Sequence, residues 1–255
     1  MTEGRASEGD EGRDRPAAPE VDTLLTGLGL SWEQGSIGFG AVYLVTAGSR
    51  RILFDCGHTG RRRALLGALA ARGLGPGDIH VLVLSHGHWD HVQNADLFAG
   101  ADVLLHPAES EHLAAAPTGD PFTPPWSAAV LRSSSVRGAQ DGLTLAPGVT
   151  VTGLPGHTAG SIGLTVRTAR GTALLTGDAV SSARALREGR CTTVLAGEAD
   201  AARSLDLVRS RADLVYPGHD RPFAVVAGAP GRYLLPPAWP GGLAPGQAGS
   251  AVPGP

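Results

Sequence analysis

The chain contains no lysine: all 21 of its basic residues are arginine. Schiff-base chemistry and a Walker-type phosphate loop, which both require a lysine amine, are therefore excluded. Cysteine is scarce. Cys56 and Cys191 form neither a CxxC pair nor a disulfide framework, which points to a reducing compartment. No apolar run approaches the length of a membrane span. The first residues are acidic and polar rather than basic then apolar, so no secretory leader is expected. Charge is also sparse, at 18% of residues with a net −3, which is not the basic excess of a dedicated nucleic-acid binder. No GxSxG elbow is present, and neither cysteine has a base near it in sequence. What remains is an apolar content of 42% in 255 residues, enough for one sizeable core. A soluble, cytoplasmic globular protein is the expectation.

The ends differ in composition from the middle. Residues 1–20 hold six acids, three arginines and no large apolar side chain after Met1, and read as a disordered acidic tail. From residue 228 onward Gly, Pro and Ala dominate, so 228–255 reads as a second loose tail. The folded unit is then 21–227. Within it, Val42–Val45 and Ile52–Phe54 suggest a hairpin. Residues 61–72 carry leucines at helical spacing, with Gly73 as a stop. Pro107 suits the first turn of a helix running on to Ala116. Val81–Leu84, Val149–Leu154, Gly163–Val166, Ala173–Leu175 and Leu214–Tyr216 read as strands. Residues 198–211 read as a helix, acidic at its start and basic at its end. The stretch 117–145, with four prolines and Trp126, reads as a long loop of the kind that serves as a lid. Gly35-Ser36-Ile37-Gly38 before Asp55 and Gly160-Ser161-Ile162-Gly163 before Asp178 form an internal echo, as a two-halved sheet architecture would produce.

Chemistry concentrates in Ser85-His86-Gly87-His88-Trp89-Asp90-His91, directly after the Val81–Leu84 run. Three imidazoles and a carboxylate in six positions are costly to bury for packing, and their shared property is metal ligation. Apolar runs end at single candidate ligands three more times, at His157, Asp178 and His219. Seven donors exceed what one tetrahedral ion takes. They suit two ions that share a carboxylate and a water, lower the water's pKa and aim the resulting hydroxide.

The order HGHWDH, His157, Asp178, His219 resembles the metallo-β-lactamase superfamily over residues 35–225. The resemblance implies an α/β fold, an αβ/βα sandwich of two mixed sheets flanked by helices, with a binuclear metal site at one edge. It further implies that His86, His88 and His157 hold one metal ion and Asp90, His91 and His219 the other, with Asp178 bridging them. Asp55 matches the family's early aspartate, a structural or supporting residue. True β-lactamases of the family lack the bridging aspartate, so Asp178 argues against antibiotic hydrolysis. The gap from Asp178 to His219 is too short for the inserted domain of the family's large nucleases.

The leading expectation is thus a hydrolase. A hydroxide held by two divalent ions, zinc first and iron or manganese also accepted by such donors, attacks an ester, thioester or lactone of a small molecule, and Asp90 or the metals manage the proton. A phosphodiesterase or ribonuclease of the same fold and a mononuclear iron dioxygenase are the alternatives. Nucleic acid is disfavoured as a partner, no membrane partner is expected, and oligomeric state is not legible. Arg184, Arg187 and Arg190 offer forks for an anionic substrate, against a plain reading as solvated surface. Trp89 and Trp126 are pocket-wall candidates. His58, His80, His106 and His112 lack a motif context.

Overall fold

The computed structural model describes residues 17–115, 119–132 and 134–237. The first half of the chain forms β1 (Glu20–Leu25), β2 (Leu28–Trp32), β3 (Gly35–Phe39), β4 (Val42–Ala47), β5 (Arg50–Phe54), α1 (Arg62–Ala70), β6 (Val81–Val83), α2 (Trp89–Val92), β7 (Asp102–Leu105) and α3 (Pro107–Ala115). The second half forms β8 (Val136–Gly138), β9 (Thr144–Ala146), β10 (Val149–Gly153), β11 (Ile162–Thr168), β12 (Gly171–Gly177), α4 (Ala183–Glu188), α5 (Glu198–Arg211), β13 (Leu214–Pro217), β14 (Phe223–Val226) and β15 (Ala229–Tyr233). One sheet has six strands in the order β1-β4-β5-β6-β7-β8, and the other seven in the order β15-β14-β13-β12-β11-β10-β9. A separate hairpin pairs β2 with β3.

Alternation along the strands builds the layers. Tyr43, Val45, Ile52, Phe54, Val81 and Val83 point inward from the first sheet and meet Val151, Leu164, Val166, Ala173 and Leu175 of the second. The opposite faces are covered by helices. Leu44, Leu53 and Leu82 pack under Leu65 and Leu69 of α1 and Leu113 of α3. Leu174 and Val215 pack under Leu186 of α4 and Leu205 and Val208 of α5. Helix, sheet, sheet, helix is the expected αβ/βα sandwich. Leu82 is fully buried, so truncation to alanine would cost about 2–5 kcal/mol.

The topology brings the ligand-bearing loops together. Strands β5, β6 and β7 run parallel, as do β12 and β13, while β10 joins β12 through two antiparallel steps. Asp55, the 85–91 segment, His157, Asp178 and His219 all follow strands that run toward one edge. The two sheets are joined there by backbone hydrogen bonds from Ile162 to Ser85 O (2.9 Å) and from Ala41 to Gly218 O (2.8 Å). The internal echo is partly structural. In each half an antiparallel hairpin, β4–β5 or β11–β12, ends at its aspartate, but Gly35–Gly38 lies in β3 whereas Ile162 already opens β11.

Two expectations need correction. The tail proposed from residue 228 does not begin there: Ala229–Tyr233 is a strand paired to β14, and Tyr233 packs edge-on against Phe223 and under the Arg221 guanidinium. Glycine-rich composition hid a short edge strand that needs little apolar alternation. The 117–145 stretch is not a structureless lid. A single helical turn at Ser127–Leu131 precedes β8, which edges the first sheet, and β9, which edges the second. Residues 1–16 and 238–255, with Trp239, lie outside the described residues.

Candidate metal centre

Every imidazole of the site has one ring nitrogen occupied outward and the other facing inward. A carboxylate or carbonyl oxygen only accepts, so the imidazole must donate to it. His91 Nδ1 donates to Asp55 Oδ2 (2.8 Å), His157 Nδ1 to Thr193 O (2.8 Å) and His219 Nδ1 to Leu28 O (3.1 Å). Ser85 Oγ spends its proton on Asp55 Oδ2 (2.8 Å) and so accepts from His86 Nδ1 (2.9 Å). His88 is turned the other way, donating from Nε2 to Asp120 Oδ2 (3.2 Å). Five ring nitrogens therefore face inward: Nε2 of His86, His91, His157 and His219, and Nδ1 of His88, with His157 Nε2 3.0 Å from His88 Nδ1 and His219 Nε2 3.0 Å from Asp178 Oδ2. This is how a protein orients neutral imidazoles toward a metal.

The donors fall into overlapping trios whose atoms lie within 4.8 Å of one another: His86, His88 and His157; Asp90, His91 and His219; and His86, His91 and Asp178. Asp178 touches both sides. Its Oδ2 lies 3.0 Å from His219 Nε2 and 3.6 Å from His157 Nε2, and its Oδ1 3.3 Å from His91 Nε2. Gly218 makes that placement possible, since a Cβ there would overlap Asp178 Oδ1. All seven expected donors are thus brought to one place.

The donor set fits metal ions on a further count. His86 Nε2, His91 Nε2, Asp90 Oδ2 and Asp178 Oδ1 are buried with no hydrogen-bond partner among the described residues. Such atoms cost roughly 1–3 kcal/mol each unless something satisfies them. Asp55, Asp90 and Asp178 crowd the centre, and none of them is paired with an arginine among the described residues. Bound metal cations would supply the compensating positive charge.

Electrostatics differ across the site. Burial, reinforced by the neighbouring imidazoles His91 and His88, holds His86 well below the ordinary histidine range. Burial likewise brings His157 down to about 4, against a smaller opposing pull from Asp178. At His91 burial pulls down, but Asp90, Asp178 and Asp55 together outweigh it and push the imidazole up. His219 is also raised: burial pulls it down, and Asp178 chiefly outweighs that. Burial alone would raise Asp178, yet His219 and His91 draw it well below the carboxylate range.

Supporting residues hold the ligands in place: Asp55, which the family resemblance had marked as one, and others that no motif announced. Asp55 has φ +58°, a left-handed conformation aspartate tolerates at some cost, and it accepts from Ser85 N, Ser85 Oγ and His91. Glu109 of α3 is buried and accepts from Gly87 N (2.8 Å) and Gly160 N (2.9 Å), tying the 85–91 segment to the loop after His157. Asp120, from the stretch expected to be a lid, accepts from His88 and from His112 Nε2 (2.8 Å). Only the strand-end rule could have led to Ser85; Glu109 and Asp120 carried no signal beyond being acids near loops.

The centre forms the floor of a cavity of about 430 Å³. Leu30 and Ile37 of the β2–β3 hairpin, Trp89 and Phe122 line one wall; Ser181, Ser182, Thr192 and Thr193 line the other, and Arg184, Arg190 and Glu188 sit at the rim. Arg184 is paired to Glu188 (2.6 Å), with Arg190 3.8 Å from the same carboxylate. Arg187 lines a separate shallow groove, and Trp126 is half exposed away from the cavity. Neither thiol is poised as a nucleophile. Cys56 is buried and raised by burial, and Cys191 is pushed by burial up to about 11. His58 stacks on Phe39 and meets Trp89 edge-on, and Tyr216 packs edge-on against Tyr43. Among the described residues no helix is long and apolar enough to cross a membrane.

The comparisons with known proteins agree with this geometry. Residues 35–219 match the family model of the metallo-beta-lactamase superfamily. The human metallo-beta-lactamase domain-containing protein 1 is 37% identical over 183 residues, a match that covers 69% of this chain and only 60% of the human protein. A metallo-beta-lactamase family protein of Thermus thermophilus is 25% identical with a TM-score of 0.60, covering 81% of this chain and 75% of its own. An N-acyl homoserine lactone hydrolase, solved with N-hexanoyl-L-homoserine at its catalytic metal centre, shares the fold at 17% identity and a TM-score of 0.64, covering 80% of this chain and 94% of its own. With fold, motif order and family model in agreement, the chain belongs to the metallo-beta-lactamase superfamily.

Proposed function

We propose that the protein is a binuclear metallohydrolase that cleaves an ester, thioester or lactone bond of a small molecule. The observation that carries the reading is the convergence of five outward-anchored imidazoles with Asp90 and Asp178 in one cluster, of which His88, Asp90, His157, Asp178 and His219 line the cavity. His86, His88 and His157 would hold one divalent ion, Asp90, His91 and His219 the other, with Asp178 between them; zinc is the first candidate. When bound, the pair supplies an acidified water and a Lewis acid for the bond under attack.

The chain's own residues do the rest. Asp55, Ser85, Asp120 and the carbonyls of Leu28 and Thr193 keep the imidazoles aimed. Asp90, whose Oδ2 is buried without a partner, is the group suited to take the proton from the attacking water and return it to the leaving group. Leu30, Ile37, Trp89 and Phe122 receive the apolar part of the substrate and exclude water around the reacting bond.

A carbonyl substrate is favoured over a polynucleotide because the rim arginines are already engaged by Glu188 and no row of free cations tracks away from the cavity among the described residues. The test is a panel of aliphatic esters, acyl thioesters, lactones and short phosphodiesters, assayed with zinc-loaded protein. Turnover of a carbonyl substrate that Asp90→Ala abolishes supports the reading. Turnover of the phosphodiesters alone would replace it with the nuclease alternative.

A further inference from the structure

We propose that Asp120 is a positioning residue that fixes His88 in its metal-facing tautomer and latches the apolar cavity wall to that ligand. The inference rests on the metal reading of the site. Asp120 lies 29 residues beyond His91, the end of the histidine motif, and belongs to no part of it. Its side chain is nearly fully buried and has no arginine partner among the described residues. Instead Oδ2 accepts from His88 Nε2 (3.2 Å) and from His112 Nε2 (2.8 Å), while Oδ1 accepts from the backbone N–H of Phe122 (2.9 Å).

The contacts close a ring. The Phe122 carbonyl accepts from Trp89 N (3.2 Å), and the Phe122 side chain lies against His88 at 5.3 Å between ring centres. Trp89 follows His88 directly, so ligand and wall share one hydrogen-bonded circuit: Asp120 to His88, Trp89 to Phe122, and Phe122 back to Asp120. Trp89 and Phe122 both line the cavity.

His88 is the one imidazole of the five whose Nδ1 faces inward, so it is the one that needs its proton held at Nε2. A neutral imidazole free to choose would spend part of its time with the proton on Nδ1, aimed at the ion's position. A buried carboxylate at Nε2 removes that choice. His112, partly exposed at the outer end, donates to the same oxygen and holds the carboxylate in place from the solvent side.

The experiment is a zinc competition titration against a chromophoric chelator for the wild type, Asp120→Asn, Asp120→Ala and His112→Gln. Each protein is also loaded with cobalt for its ligand-field spectrum and melted without metal in the presence of EDTA. Expected are zinc affinity about 10–100-fold weaker at one of two sites in Asp120→Ala, a smaller loss in Asp120→Asn, and an altered cobalt spectrum in both. The metal-free melting temperature of Asp120→Asn should stay close to wild type. His112→Gln should weaken zinc in the same direction by a few-fold; it reads the same chain even where an Asp120 variant fails to fold. Wild-type zinc affinity and spectrum in the folded variants would overturn the proposal. So would a metal-free melting temperature that falls as far as the metal-loaded one, because that would mark a merely structural contact. Wild-type protein that binds no metal would sink the metal centre itself, and the role of Asp120 with it.

Discussion

The two halves of the centre share the Ser85–His91 segment yet are different environments. The half made of His86, His88 and His157 contains only imidazole, and burial drives His86 and His157 toward their neutral forms. The half made of Asp90, His91 and His219 is rich in carboxylate, and Asp90, Asp178 and Asp55 draw positive charge onto His91 against the pull of burial. The first half offers lone pairs and the second offers charge. Two aspartates span the difference. Asp178 touches imidazoles of both halves from inside, and Asp55 orients one imidazole of each from outside, His91 directly and His86 through Ser85.

That comparison ranks the variants. Asp178→Ala removes the shared group and should have the largest effect, lowering metal content from two equivalents to below one and hydrolysis by more than about 100-fold, beyond the loss typical of a supporting residue. Elemental analysis and single-substrate kinetics read both. Asp90→Ala and His157→Ala strike one half each, and each should leave roughly one equivalent of metal. If either empties the site completely, the halves are not separable and the comparison fails.

Asp55→Ala should lose stability rather than one particular ion. It strands Ser85 N and the outward nitrogen of His91 and leaves alanine at positive φ, together about 3 kcal/mol or more by denaturant titration. Glu109→Gln keeps one acceptor and turns an amide N–H₂ toward Gly87 N or Gly160 N, at a cost of about 1–3 kcal/mol. Arg190→Ala should be the mildest. Arg190 is exposed and only loosely paired with Glu188, so stability should change by less than about 0.5 kcal/mol and metal content not at all.

Much of this architecture is legible in the chain itself. The ligand positions can be read because each follows a short apolar run, and a run ending at a lone His or Asp marks a strand edge. The helix at Glu198–Arg211 is legible from its charged ends. The β2–β3 hairpin is not, since its glycines and exposed Leu30 and Ile37 break the alternation that marks a buried strand. Those glycines serve proximity instead: a Cβ on Gly38 would meet Asp90 Oδ2 at 2.8 Å. Glu109 and Asp120 are illegible for a related reason. Their importance lies in contacts across 22 to 51 residues of chain, which no local pattern records.

The central claim, two divalent ions with Asp178 between them, is tested most directly by elemental analysis of protein purified without added metal, alongside Asp178→Ala and Asp90→Ala. The account predicts two equivalents of a divalent ion, zinc first, in the wild type, fewer than one in Asp178→Ala and about one in Asp90→Ala. One equivalent of iron in the wild type, unchanged in Asp90→Ala, would contradict it and point to a mononuclear oxygenase.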